Sequence, residues 1–354
     1  MLLLLSCGEE AVIPVSEPTV TSLSTSDSVS VPWVFSGEAL DPDSSIVWID
    51  GKRLENEYVL AKNFSEIAFL VPRYIYFDNT TASDELSVLL TLGSDTLYNA
   101  DHQLPKDLSY RTVEIMPDDF QFGSENGNNN ESPEISILVS DTYEVMTTEL
   151  STFLANFLLQ DKAYSGEEYS TEIPFSGITI LEAINIANTL SKLEGLDTVY
   201  QIAEAAGSEQ DYNFERILDA NGWRLPSEAE WEYIAKTAHQ EFPLEDYIDR
   251  FAWHRDNSAN QKKKIAQKEM STIGTYDLLG NLSELCFDIK SIYTNYDIPT
   301  LGAASLFASD TFVLRGGDYT SGYWQTRPGS REFVSAREPL QRTGIRLIRK
   351  KDAN

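Results

Sequence analysis

The sequence predicts two domains of different class in series: an all-β sandwich over residues 18–113, then an α+β domain rich in irregular loops over 114–350. Three observations carry this expectation. Up to about residue 113, short β-branched and aromatic runs alternate with turn residues and no helix-period stretch intervenes. Beyond it, apolar residues recur at helical spacing behind residues suited to capping a helix. From about 240 to 350 helical period fades and Gly, Asn and aromatic residues take over, as in long packed loops with short strands. With 354 residues, 42% of them hydrophobic, the chain can build two real cores.

The β region reads as "SVSVPWVFSG", "SIVWIDG", "EIAFLVP" and "LSVLLTLGSDTLY". Asp50-Gly51 and Gly93-Ser94 are hairpin-type turns, because both need residues that accept positive φ. The order of "VFSGEAL", "VWIDG" and "EIAFLVP" resembles the immunoglobulin-like TIG family, which implies a non-catalytic β-sandwich.

In the second region "GSENGNNNESPE", Gly123 to Glu134, is of low complexity, has little apolar surface to bury and is expected to be a solvated loop. Leu150, Phe153, Leu154, Phe157 and Leu158 define one face of a helix. "TILEAINIANTLSKLEG" starts with a capping box from Thr179 to Glu182 and stops at Gly195. "GWRLPSEAEWEY" contains a second capping box, Ser227 to Glu230, so a helix starts at Glu228. Its acids at 228, 230 and 232 face the positive end of the helix dipole, and Trp231, Ile234, Ala235 and Ala238 form its apolar face. "FVLRGG" and "GIRLIR" read as short strands.

Against 27 basic residues stand 56 acidic ones, a net charge of −29 that repels nucleic acid and disfavours docking on an anionic membrane surface. Two cysteines, Cys7 and Cys286, imply no disulfide framework. "MLLLLSCGEE" resembles a bacterial lipoprotein signal, which implies lipidation of Cys7, a signal and tether over residues 1–17, a membrane contact through the lipid, and a place in the cell envelope, at the outer membrane or in the periplasm. A plain hydrophobic N-terminus is the alternative.

Four segments stand in a familiar order: "GITILEAINIANTLSKLEGLDTVY", "NGWRLPSEAEWEY", "YDLLGNLSELCFD" and "VLRGGDY", closed by "TGIRLIR". They resemble the formylglycine-generating enzyme, or sulfatase-modifying factor, family over about 114–350. That resemblance implies a variant of the C-type lectin fold with little regular secondary structure, behind the immunoglobulin-like sandwich.

Active members of the family hold copper(I) on two thiols after the double glycine and oxidise a substrate cysteine. Here Ser321 and Thr326 stand at the expected thiol positions, and a hydroxyl cannot replace thiolate for a soft cuprous ion. The family's "GNVWEW" block has Ser283 and Leu285 in place of both tryptophans, and Asp318 replaces the serine after the glycines. Cys286 reads as a buried, inert side chain. His102, His239 and His254 read as packing or surface residues rather than as a facial set for non-haem iron. The resemblance implies calcium as a cofactor, with Asn281 and Glu284 as hard-oxygen ligands; a tight turn with a solvated glutamate is the alternative. In the family's other calcium loop, "DNSANQKKKIAQKEM", only Asn257 and Asn260 survive.

Tyr319, Tyr323, Trp324, Arg327 and Arg331 lie in the segment that forms the groove of catalytic relatives. Their composition suits ligand recognition, and equally an aromatic core. The functional expectation is a surface-anchored lipoprotein whose second domain has lost the copper thiols and binds a cell-envelope protein, peptide or glycan, or serves as a structural module. The alternative is an oxygen-dependent formylglycine-generating oxidase or related metal-dependent oxygenase with a rearranged site.

Overall fold

A computed structural model describes residues 17–71, 85–103, 105, 107–159, 170–204, 212–239, 245–290, 305–307, 311–335 and 340–351; Cys7 lies outside them. The chain divides into two compact units between Leu108 and Ser109.

The first unit contains β1 (Thr19–Ser24), β2 (Trp33–Glu38), β3 (Ser45–Ile49), β4 (Lys52–Arg53), β5 (Val59–Lys62), β6 (Glu66–Phe69), β7 (Glu85–Leu92) and β8 (Asp95–Gln103). They form two four-stranded antiparallel sheets, β1-β2-β6-β5 and β4-β3-β7-β8. Both turns read from the sequence are present: Asp50 and Gly51 take φ of 48° and 74° between β3 and β4, and Gly93 takes 58° before β8. Burial alternates along β2 and β6 in one sheet and along β3 and β7 in the other, so each sheet has one apolar face. Aromatic contacts join the two faces. Phe35 on β2 stacks on Phe69 at 5.6 Å and meets Tyr98 of the other sheet edge-on at 5.2 Å. His102 belongs to this core: its ring lies 5.4 Å from Trp33 and Nε2 is 2.7 Å from the Tyr98 hydroxyl.

The second unit contains β9 (Thr112–Ile115), β10 (Asp118–Phe122), β11 (Ile135–Val139), β12 (Tyr143–Met146), α1 (Thr152–Leu159), α2 (Ile180–Leu193), β13 (Tyr200–Glu204), β14 (Tyr212–Arg216), α3 (Glu228–Ala238), α4 (Glu245–Phe251), β15 (Ser283–Ile289), β16 (Ser305–Phe307), β17 (Thr311–Arg315), β18 (Arg331–Ser335), β19 (Thr343–Gly344) and β20 (Ile348–Lys350). Its strands make four small sheets, β10-β11, β20-β12-β9, β13-β14-β16 and β18-β17-β15-β19. In the second of these the first and last strands of the unit flank β12, so the start and end of the domain are bonded to one strand.

Both capping boxes form as the sequence predicts. Thr179 Oγ1 accepts from the Glu182 amide while Glu182 accepts from the Thr179 amide, and Ser227 and Glu230 do the same at the start of α3. From Ala252 to Leu282 the chain has neither helix nor strand, as expected of packed loops. Side chains there substitute for ladder bonds: Asn257 accepts from the His254 amide and donates to the Ala252 carbonyl, and Ser258 donates to the Tyr319 carbonyl. Helix α4, not legible as a helix in the sequence, is a short element beside this loop. Its Ile248 and Phe251 pack on Ala252 and Leu279.

Candidate functional site

Helix α3 organises the site through its acids. Sequence reasoning places Glu228, Glu230 and Glu232 against the helix dipole, but all three are buried, and each is matched by an arginine. Arg224 grips Glu230 with two bonds of 2.7 and 2.8 Å. Arg331 grips Glu228, and Arg315 pairs with Glu232, which also takes Lys236 at 2.7 Å and the Gly123 amide. Burial disfavours the Glu230 carboxylate, yet Arg224 outweighs it and holds the group down to about 2. The requirement for a tightly specified helix start thus has a physical reason. Three charges taken out of water need partners in fixed positions, and a frayed first turn would leave guanidinium groups uncompensated.

The loop from Gly123 to Glu134 is solvated in part: residues 125, 126, 128–130 and 134 are exposed, as expected, but Glu131 is fully buried and forms a bidentate pair with Arg327 at 2.9 and 3.2 Å. The Asn130 carbonyl accepts from Arg331 at 2.8 Å. Gly127 lies so close that a Cβ there would sit 1.9 Å from the Glu131 carboxylate, so the loop needs glycine at this point.

Three segments fixed in this way enclose a cleft of about 460 Å³. The loop contributes Gly123, Ser124, Asn126 and Glu134; the end of α3 contributes Lys236 and His239; and the turn after β17 contributes Trp324 and Arg327 to Gly329. A single 3₁₀ turn, Tyr323–Thr326, carries Trp324, which is 42% exposed. The Arg327 guanidinium lies 3.9 Å from the centre of its ring and donates through Nε to its carbonyl. Buried His239 packs edge-on against Phe251, and burial lowers it to about 4, leaving it neutral at physiological pH.

The five residues read as a ligand face therefore separate. Trp324 and Arg327 line the cleft. Arg331 is held inside by Glu228, Tyr323 packs on the Ile248–Leu279 cluster, and half-buried Tyr319 is held through its backbone by Asn281 and Ser258. Sequence reasoning missed Ser124, Asn126, Glu134, Lys236 and His239. The first three stand in a tract without periodicity, and only the return of Arg327 brings that tract to Trp324.

Ser321 and Thr326, at the expected thiol positions, are buried and satisfied locally: Ser321 Oγ accepts from the Asp318 amide at 3.0 Å, and Thr326 Oγ1 donates to the Tyr323 carbonyl at 2.8 Å. Asp318 accepts from Thr320 and pairs with Arg342 at 2.8 Å. Cys286 sits in β15 among Trp231, Ile234, Leu278 and Val313, and burial pushes its thiol well up, so it is held as an unreactive thiol. His254 is buried, with Nε2 2.6 Å from Asp249.

The expected calcium donors do not fit a calcium ion. Glu284 is bonded on both oxygens by Arg346 and accepts from Trp231 Nε1 at 2.7 Å, so its lone pairs are already engaged within the protein. Asn281, at φ 58°, uses its amide on Glu149 and its oxygen on the Lys263 amide. In the other loop Asn257 is spent on backbone and Asp249, and Lys268 lies 4.1 Å over the Trp253 ring. Two further buried acids, Glu149 and Asp277, stand beside Glu284, and burial pushes both carboxyls up.

Residues 104–351 match the family described as "Sulfatase-modifying factor enzyme 1-like domain". The chain belongs to that family. A curated relative, "Chaperone protein LppX" of Paenibacillus barcinonensis, is 27% identical over 36% of this chain; the match spans about half, 55%, of that relative. Among solved structures, "Treponema denticola variable protein 1" aligns with a TM-score of 0.57 at 20% identity, covering 68% of this chain and 95% of its own. PvdO from Pseudomonas aeruginosa aligns at 0.53 and 18%, covering 68% and 94%. At such identities these likenesses establish the C-type-lectin-like fold and leave chemistry to the site.

Proposed function

We propose that the chain is an envelope-anchored recognition protein. Its sulfatase-modifying-factor domain binds a ligand in the cleft at Trp324 and does not oxidise cysteine, its β unit is an immunoglobulin-like spacer, and Cys7 carries the lipid. The observation that supports the reading most directly is Trp324 itself: a large ring left 42% exposed at the mouth of a cleft, with its orientation set by Arg327 and, through Arg327, by buried Glu131. An indole at the wall of a cleft, already held in one orientation, loses little entropy on binding. The donor set argues against copper, since Ser321 and Thr326 offer locally bonded hydroxyls where the chemistry needs thiolates. Calcium has no role in this reading, because Glu284 belongs to Arg346.

Two measurements test the proposal. Oxygen uptake by the purified protein with a cysteine-containing peptide, with Cu(I) or Fe(II) added, is expected to stay at background; turnover would replace recognition with the oxidase alternative. Capture of envelope components on immobilised protein is expected to yield a partner that is lost with Trp324→Ala. Capture that is indifferent to Trp324 would move the site elsewhere.

A further inference from the structure

The groups lining the cleft narrow its ligand class. Every cation at its wall is already neutralised. Lys236 pairs with Glu232 and donates to the carbonyls of Gln121 and Gly123, and Arg327 pairs with Glu131. Exposed Glu134 has no ion pair among the described residues, and the chain as a whole carries −29. An anionic ligand would meet repulsion and no counter-charge. A cationic ligand finds only one face of the ring open, because a guanidinium 3.9 Å from the centroid already occupies the other face of Trp324.

What is left suits an uncharged polyol. Ser124 and Asn126 make no side-chain hydrogen bond among the described residues, so the cleft offers a hydroxyl, an amide with both donor and acceptor, and the Glu134 carboxylate as acceptor. The axial C–H bonds of a pyranose present weakly positive hydrogens to the negative face of an aromatic ring, while its hydroxyls need such a mixed donor and acceptor set. The volume lies within the ~300–1,000 Å³ of small-ligand sites.

Resting on the recognition reading above, we propose that the cleft binds a neutral saccharide, with one sugar ring on the open face of Trp324 and its hydroxyls bonded by Ser124, Asn126 and Glu134. The discrimination is against acidic sugars and is built into the wall by the internal pairing of Lys236 and Arg327.

The test is native electrophoresis of the full chain through gels containing a neutral mannan, a β-1,3-glucan or dextran, set against polygalacturonate as the acidic probe. The expected result is retardation by at least one neutral polymer and not by the acidic one. Trp324→Ala then weakens that retardation by about tenfold or more, the scale of losing a buried aromatic anchor. Asn126→Ala and Glu134→Gln, both at exposed positions, weaken it several-fold; they carry the test if Trp324→Ala melts abnormally. Retardation by no neutral polymer, or only by the acidic one, or retardation unchanged in all three variants, overturns the saccharide. A parallel capture arm with envelope proteins and peptides separates the two levels. Trp324-dependent capture of a protein without sugar binding removes the saccharide and leaves recognition standing, whereas Trp324-independent results in both arms remove both.

Discussion

Replacing Glu230 by Gln removes the charge that holds Arg224 while leaving the shape of the first turn of α3 nearly intact. Arg224 is buried, and its guanidinium takes both oxygens of Glu230 at 2.7 and 2.8 Å. An uncompensated buried charge costs roughly 3–5 kcal/mol. A second route gives a similar figure. Glu230 is held at about 2 against an ordinary 4.5, and at about 1.4 kcal/mol for each tenfold change in protonation this corresponds to about 3 kcal/mol at neutral pH. The sign follows from the depressed value: the stabilisation is fully present above pH 4.5 and is lost as pH falls toward about 2. Calorimetry of the full chain should show the transition of the second unit lowered by roughly 6–12 °C in Glu230→Gln at pH 7. The gap should narrow steadily below pH 4.5. Adding Arg224→Met should recover part of the loss, because the double variant no longer buries an unpaired cation. A cost below about 1 kcal/mol at pH 7, or a gap of the same size at pH 2, would refute the assignment of Glu230 as the charge that fixes this corner.

Three further outcomes follow from the same structure. His239 is lowered by burial to about 4 from 6.5, so the unfolded chain takes up its proton first and up to about 3 kcal/mol of stability is lost as pH falls from 6.5 to 4; His239→Gln should flatten the profile in that window, and an unchanged profile of stability against pH would sink the assignment. Gly280 has φ 78° and would place a Cβ 2.2 Å from the Trp253 carbonyl, so Gly280→Ala should cost at least about 2–3 kcal/mol in urea unfolding, through both backbone strain and collision. Cys286, fully buried with its thiol pushed up, should resist a disulfide reagent in the native protein and react promptly in denaturant; native reactivity on the same timescale would show that the thiol is accessible after all.

Local rules read directly from the sequence were those whose physics closes within a few residues. A capping box needs only the cap and the residue three further on, which is why Thr179 with Glu182 and Ser227 with Glu230 mark the starts of α2 and α3. Asp50-Gly51 and Gly93 mark turns because few residues accept positive φ. The family was also legible, since its motifs stand at fixed separations along the chain. The helix α4, by contrast, is only seven residues long and gives little periodicity to detect.

The site was legible only in part, and the reason lies in chain separation. Trp324 and Arg327 could be marked by composition as ligand-prone residues, but whether an arginine faces a ligand or a buried carboxylate depends on what folds back upon it. Arg327 meets Glu131 across 196 positions, Arg331 meets Glu228 across 103, and Arg315 meets Glu232 across 83. No periodicity or propensity links residues so far apart. By itself the sequence determined the family, the helix starts and the absence of thiols at Ser321 and Thr326, because each is a matter of residue identity or of bonding to near neighbours. Only the tertiary structure decided which charges neutralise each other, and therefore which face of Trp324 remains open, because in a low-dielectric interior a charge is defined by its partner in space.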